Sequence, residues 1–278
     1  MTNDYDARID RAKYLAKQYP FAGEILNFYQ QLAGFQKAIY SDLLRSSESP
    51  SGTAHDDLRG LALNHALLMK HFPQILSFLE REAPGPIAEG ARRLALGELA
   101  TWAATLNEFW RVGGQRPPSA EETQDESAET VKEFILRAFL QPYVEFLTES
   151  MPPPPIDGRP PNCPRCESAP LLGVLRPEGD GSKRCLVCSF CFSEWEFRRI
   201  FCAGCGEQDE KKLPVYVADQ LPHVRIDACD TCKSYLRTID LTTNGRAVPI
   251  VDDLAAIPLS LWAEERGYTR LEPNLLRT

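Results

Sequence analysis

Eight of the nine cysteines in this 278-residue chain fall into Cys-x-x-Cys pairs, Cys163/Cys166, Cys188/Cys191, Cys202/Cys205 and Cys229/Cys232. Between the first two pairs lie 21 residues, and between the last two 23, so each half reads C-x2-C-x(21 or 23)-C-x2-C. That is the spacing of a tetrathiolate metal site: one pair sets two sulfurs on a tight turn, a short β-excursion follows, and the second pair completes a tetrahedron. Four soft ligands suit Zn(II) or a single iron. They leave no coordination position for water or substrate, which argues against hydrolytic metal catalysis. Zinc would serve as a scaffold, whereas iron could shuttle one electron at a potential tuned by N–H groups aimed at sulfur. Gly206 follows the Cys202/Cys205 pair, where a bare backbone lets an amide approach the sulfur, while Glu167, Phe192 and Lys233 stand at the equivalent places. Cys185 makes a competing pair with Cys188, but choosing Cys188/Cys191 keeps the two halves in register and leaves Cys185 as a strand residue beside the site.

Other chemistry is scarce. His55, His65, His71 and His223 sit apart and are expected as surface or core residues rather than ligands. No Ser/His/Asp order, glycine-rich phosphate loop or carboxylate pair stands in a catalytic context, and Gly113-Gly114 reads as a helix terminator, so the chain is not expected to be an enzyme. With 43% apolar and 25% charged residues the composition is that of a folded chain. No apolar run reaches the roughly 18–20 residues of a membrane span, and the first residues are acidic where a secretory signal would be basic. An odd cysteine count arranged in Cys-x-x-Cys pairs then favours metal over disulfide and a cytoplasmic location. The net charge is −8, and from residue 162 onward 15 Lys and Arg stand against 17 Asp and Glu. Loaded tetrathiolates would add about −2 each. A nucleic-acid ribbon would display a basic face instead.

The first 150 residues must position these modules, and they read as an all-α domain. Helices are expected over Asp6–Tyr19 and Phe21–Leu44, with apolar residues at three and four spacing (Ile25, Phe28, Leu32, Phe35, Ile39, Leu43) and a break at Pro20. A loop is expected over Ser46–His55, then a helix capped by Asp56 or Asp57 and running through Leu67, a boundary near Pro73, and a helix over Ile75–Arg81. One long helix is predicted over Ile87–Trp110, a polar loop over Arg116–Glu126, and a helix over Ser127–Thr148 with Pro142 placed to kink it. Residues 151–161, rich in proline, form an extended linker. Beyond it come strand-like runs, Leu171–Leu175, Arg184–Val187, Trp195–Ile200, Leu213–Ala218, Val224–Asp227 and Tyr235–Leu241, with a turn at Gly179-Asp180-Gly181. The segment after Cys191 repeats after Cys232, Ser193 and Ser234 being in register. The expected fold is therefore multidomain α+β: helices over 1–150, the linker, tandem metal modules over 162–200 and 201–245, and a tail over 246–278 that packs back. Units of about 40 residues bury too little to fold alone, so metal must supply folding free energy on the order of 10 kcal/mol per site.

The cysteine region is specific enough to compare with a family. Asn162-Cys-Pro-Arg-Cys166, Cys188-Ser-Phe-Cys-Phe-Ser-Glu-Trp195, Arg198-Arg-Ile-Phe-Cys-Ala-Gly-Cys-Gly206 and Cys229-Asp-Thr-Cys-Lys-Ser-Tyr-Leu-Arg-Thr-Ile-Asp240 resemble the formate dehydrogenase accessory proteins, the FdhE family. Arg11-Ala-Lys-Tyr-Leu-Ala, Phe28-Tyr-Gln-Gln-Leu-Ala-Gly-Phe-Gln36 and Asp252-Asp-Leu-Ala-Ala-Ile-Pro-Leu-Ser-Leu-Trp262 look similar too. The resemblance implies two rubredoxin-like modules after a helical domain, and iron at Cys163, Cys166, Cys188, Cys191, Cys202, Cys205, Cys229 and Cys232. It further implies a cytoplasmic role in maturing respiratory formate dehydrogenase by binding its catalytic subunit before export. The sequence departs from the family at Glu167, where glycine is usual, and in having Cys185. The expected protein is a client-specific assembly factor whose metals hold a docking surface or pass an electron. Trp195, Tyr235, Arg198 and Arg199 are candidate contacts, the favoured alternative for Trp195 being a cover over a metal site. Nucleic acid and membrane insertion are not expected, and self-association is compatible with the reading. The competing function is a structural zinc-ribbon adaptor for nucleic acid or another protein. A redox enzyme acting on a small molecule would need an open site or an organic-cofactor fingerprint, and neither is found.

Overall fold

A computed structural model describes residues 4–46, 58–112, 124–152, 154 and 158–277. The chain forms two compact units, Met1–Gln30 with Pro154–Thr278, and Gln31–Pro153. Contact therefore places the first helix with the cysteine-rich segment, which a boundary at residue 150 does not reveal.

The cysteine-rich unit opens with α1 (Tyr5–Gln18), whose first turn is capped by the Asp4 carboxylate accepting from the Ala7 amide at 2.9 Å. Its sheet comprises β1 (Pro170–Glu178), β2 (Gly181–Cys188), β3 (Glu194–Glu196), β4 (Val215–Val217), β5 (Val224–Ala228), β6 (Ser234–Asp240) and β7 (Thr269–Arg270). The strand order is β3-β2-β1-β6-β5-β4, with β7 also on β6. β1 and β2 form a hairpin closing at Glu178 and Gly181, and Gly179 supplies the positive φ of 54° that its two-residue turn requires. The two expected modules are thus one sheet, joined where β1 lies parallel to β6 through Gly173 and Thr238, Val174 and Ile239, Leu175 and Asp240. The tail holds α7 (Pro249–Ala255) and α8 (Ile257–Glu265), and it packs on β5 and β6: Leu259, Ala263 and Tyr268 share one apolar core with Val224, Ile226, Tyr235 and Ile239. The sequence reading of the tail contains no α7, a seven-residue helix too short for a periodic pattern.

The helical unit contains the C-terminal part of α2 (Gly23–Arg45), then α3 (His65–Glu82), α4 (Gly85–Ala95), α5 (Leu99–Val112) and α6 (Gln124–Ser150). Phe72 sits at its centre, edge-on to Phe139 at 4.9 Å and to Trp102 at 5.5 Å. Two boundaries differ from expectation. Pro73 lies inside α3 rather than at its end, because the buried stripe Leu68, Phe72, Ile75, Leu76 and Leu79 runs straight across it and offsets the lost hydrogen bond. The single helix expected over Ile87–Trp110 is two: the Trp102 indole N–H donates to the Leu94 carbonyl at 2.7 Å, and a side chain at Gly97 would meet that indole, so the chain breaks there. α3 starts at His65 with Asn64 as its cap, not at Asp56 or Asp57, which with His55, Gly113-Gly114 and most of the expected loops lie outside the described residues. No helix among the described residues is long and apolar enough to cross a membrane.

Candidate metal centres

Each cysteine pair is built by the same local turn. The amide of the first cysteine donates to the carbonyl five residues on, Cys163 to Ser168, Cys188 to Ser193, Cys202 to Glu207 and Cys229 to Ser234, all at 2.9 Å. Amides of Glu167, Gly206 and Lys233 donate back to the carbonyls of Cys163, Cys202 and Cys229 at 2.9–3.0 Å. This closure requires a left-handed residue just past the second sulfur, and all four positions have one: Glu167 at φ 59°, Phe192 at 54°, Gly206 at 80° and Lys233 at 57°. The missing glycine at three pairs therefore changes the strain and not the turn, since an L side chain in that conformation costs about 1–2 kcal/mol.

The turns gather the sulfurs into two tetrads, Cys163, Cys166, Cys188 and Cys191 in one, Cys202, Cys205, Cys229 and Cys232 in the other, the four ligand atoms of each lying within 4.8 Å of one another. Sγ–Sγ separations are 3.5 Å for Cys163 and Cys191, 3.4 Å for Cys166 and Cys188, and 3.6 Å for Cys166 and Cys191 in the first tetrad. In the second they are 3.7 Å for Cys202 and Cys232 and 3.7 Å for Cys205 and Cys229. A metal–sulfur bond of about 2.3 Å demands tetrahedral edges of about 3.8 Å, so the sulfurs fit a closed four-coordinate ion. They are far outside the roughly 2.05 Å of a disulfide. Either tetrad can hold a metal ion.

Amides and hydroxyls face the sulfurs. The Arg165 amide donates to Cys163 Sγ at 3.4 Å, the Phe190 and Cys191 amides to Cys188 Sγ at 3.3 and 3.4 Å, and the Gly204 amide to Cys202 Sγ at 3.3 Å. Ser168, Ser193 and Ser234, two residues past the second cysteine of their pairs, bring hydroxyls to 3.4, 3.1 and 2.9 Å from Cys166, Cys191 and Cys232. Toward a thiolate each hydroxyl is a donor. Hydrogen bonds from Cys163 and then from Cys188 and Cys191 hold the Cys166 thiol well below its usual range, while burial pushes Cys188 and Cys191 well up. One sulfur of the first tetrad is thus favoured as thiolate, and closing the set on a metal expels the remaining protons. At the third pair Glu207 replaces the serine. Its carboxylate accepts from the Thr231 hydroxyl at 2.6 Å and from the Gln208 and Asp209 amides at 3.0 Å, tying the 202–205 turn to the 229–232 turn; those bonds depress its pKa to about 2.

Cys185 belongs to neither tetrad. It is buried in β2, and burial followed by the Glu194 carboxylate pushes its thiol up to about 12, an inert setting. His65, His71 and His223 also stand outside the tetrads: His223 bonds Asp252 at 2.7 Å, His65 bonds Asn107 at 3.0 Å, and His71 lies 3.4 Å from Asp42. Trp195 and Tyr235, two of the candidate contacts, are buried at 2% and 1% exposure, so neither ring is offered to a client, and for Trp195 a covered ring is the preferred reading of the sequence. The Trp195 indole donates to the Pro160 carbonyl at 2.9 Å, and Tyr235 is core because β6 is buried on both faces, from Tyr235 through Ile239. Arg198 and Arg199 are exposed. Sequence reasoning missed Arg184, a buried β2 residue that donates to the Arg198 and Phe201 carbonyls at 3.1 and 3.2 Å and pairs with Asp227 at 3.0 Å. It pins the crossover between the modules, a role only the fold exposes.

The family model described as FdhE, central domain, matches residues 162–199, and that described as FdhE, C-terminal domain, matches 200–277, one tetrad falling in each. A protein FdhE homolog of Aquifex aeolicus is 24% identical over 277 residues, covering 96% of this chain and 93% of its own. Another from Pseudomonas aeruginosa is 35% identical over 119 residues, 41% of this chain and 38% of its own. The crystal structure of the FdhE protein from Pseudomonas aeruginosa shares the fold at a TM-score of 0.63 and 23% identity, covering 98% of this chain and 95% of that one. The paired tetrads, the two matched segments and the shared fold agree: residues 162–277 match the FdhE central and C-terminal domains, and the chain is similar to FdhE proteins along nearly its whole length.

Proposed function

We propose that the protein is a cytoplasmic accessory factor for respiratory formate dehydrogenase that binds the catalytic subunit during maturation, with Cys163, Cys166, Cys188 and Cys191 ligating one ion and Cys202, Cys205, Cys229 and Cys232 a second. The observation that carries this reading is the pair of four-sulfur cages, one inside each of the two segments matched as FdhE domains. Iron is the preferred ion and zinc the alternative, since amides aimed at three of the eight sulfurs are the means by which a tetrathiolate iron centre is tuned for one-electron exchange. A saturated cage gives no seat to a substrate, so the chain acts on its client by holding it and not by turning it over. With Trp195 and Tyr235 buried, the client contact falls to the exposed run Arg198-Arg199-Ile200 between the modules, arginine being enriched where proteins dock.

Tagged full-length protein recovered from cells respiring formate should bring down the catalytic subunit of formate dehydrogenase, and Arg198→Glu with Arg199→Glu should reduce the yield at unchanged metal content. Recovery without any formate dehydrogenase subunit would overturn the assignment. Anaerobic protein that gains visible charge-transfer absorption on mild oxidation carries iron. Colourless protein with two equivalents of zinc makes the cages scaffolds.

A further inference from the structure

The two cages differ in their access to solvent. All four cysteines of the first are buried, Cys163 at 2%, Cys166 and Cys188 at 0% and Cys191 at 1% exposure. In the second, Cys202 and Cys229 are buried but Cys205 and Cys232 are exposed. The exposed pair occupies equivalent places, the second sulfur of each turn, so one edge of the second tetrahedron faces water while the opposite edge is rooted in the fold. The bond that ties its two turns together, Thr231 to Glu207, is itself exposed, and the residues flanking the two sulfurs, Gly204, Thr231 and Lys233, are exposed as well. Around the first tetrad the neighbours Arg165, Ser168, Ser189 and Phe190 are buried.

We infer that the second cage is an exchangeable metal site, taking up and giving off one soft ion through Cys205 and Cys232, while the first is locked. The inference rests on reading the eight sulfurs as two metal centres and not on the identity of the client. Exchange at a saturated tetrathiolate needs an incoming donor atom to reach the ion as a sulfur leaves. At the exposed edge an incoming thiol can bond the ion through sulfur as the bond to Cys205 or Cys232 breaks, its proton passing to the departing cysteine sulfur; a deprotonated chelator does the same with the freed thiolate protonated from water, and no electron moves. Cys202 and Cys229 hold the ion until the second exposed bond has gone. At the first cage no cysteine is more than 2% exposed, although Asn162 and Glu167 beside it reach the surface, so an incoming donor meets no sulfur and one can leave only if the turn opens with it. The partner implied is therefore a soft-donor ligand, a thiol-bearing protein or small thiol, able to deliver or collect the ion at this edge.

Full-length protein loaded with two equivalents of natural-abundance zinc, then mixed with excess isotopically enriched zinc and followed by native mass spectrometry, reads this directly. One equivalent is expected to exchange at least about tenfold faster than the other, within the range over which a metal's surroundings alter its hold. Cys232→Ser should abolish or further speed the fast phase and leave the slow one unchanged. As a second reading on unmodified protein, iodoacetamide added during removal of metal by a chelator should label Cys205 and Cys232 before the other six cysteines of the tetrads. Two equivalents exchanging at one rate, or a slow phase that responds to Cys232→Ser while the fast phase does not, would overturn the inference and leave the metal centres standing. Protein that binds no zinc would remove the metal centres and the inference together, and neither result depends on whether formate dehydrogenase is recovered.

Discussion

At the scale of single residues, the carboxylates of α7 show how strongly this unit depends on paired charge. Asp253 is fully buried and receives Arg237 at 2.8 Å, Arg270 at 2.8 Å and the Asn274 amide at 2.7 Å. Removing it leaves the buried Arg237 uncompensated, so Asp253→Ala should cost about 3–5 kcal/mol in urea unfolding, and adding Arg237→Met should recover much of that loss. A cost under about 1 kcal/mol would mean that water already screens the pair. Asp252 next to it accepts from Arg11 at 2.9 Å, from His223 at 2.7 Å and from the Val248 amide at 2.7 Å. Burial, the largest influence, pushes its pKa up, yet the bonds from His223 and Arg11 outweigh it and the carboxyl stays below its ordinary value. Its stabilisation is therefore complete above about pH 4 and is lost as pH falls through the lower folded value. Asp252→Asn should flatten the acid side of a plot of urea midpoint against pH, and an acid limb identical to that of the natural chain would contradict this.

At the scale of elements, the decisive feature is the parallel contact of β1 and β6 that fuses the modules. Gly173 faces Thr238 so closely that a Cβ there would meet the Thr238 hydroxyl at 2.2 Å. Gly173→Ala should lower the midpoint by the equivalent of about 1–3 kcal/mol through overpacking, and Thr238→Ala in the same chain should relieve part of the loss. Additive losses in the double variant would show that the two strands do not press on each other. The cysteine turns teach the opposite lesson. Gly206 would place a Cβ no nearer than 3.7 Å to Phe201, so its value lies in the positive φ alone, and Glu167, Phe192 and Lys233 accept that same conformation because the ring of backbone hydrogen bonds and two sulfurs hold it.

At the scale of the whole molecule, the two compact units differ in what fills them. The helical unit has its own buried aromatic centre at Phe72, Phe139 and Trp102, whereas the sheet unit divides its interior between two apolar clusters and the two four-sulfur cages proposed as metal centres. Chelation of both ions should therefore abolish the strand signal in circular dichroism and retain most of the helical signal, and metal should return both, since binding free energy at such sites is folding free energy on the order of 10 kcal/mol. Full retention of the strand signal without metal would show that the core suffices.

What the sequence determined by itself was the chemistry that is local. Two sulfurs three residues apart must share a turn, so eight ligand candidates, their division into two sets and the exclusion of Cys185 were legible from spacing, as were most strands and the helices α1, α2 and α6 from periodicity. The serine two places past Cys191 and Cys232 was visible as a register, though not as a neighbour of sulfur. Only tertiary structure decided what distant residues do to one another: that β1 meets β6, that α1 brings Arg11 to Asp252, that Arg184 of one module clamps the approach to the other, that Trp195 and Tyr235 point inward, and that one cage is sealed while the other shows two sulfurs to water. Those contacts span tens to hundreds of positions, and no local pattern records them, because burial belongs to the packed surfaces and not to the residue that is buried.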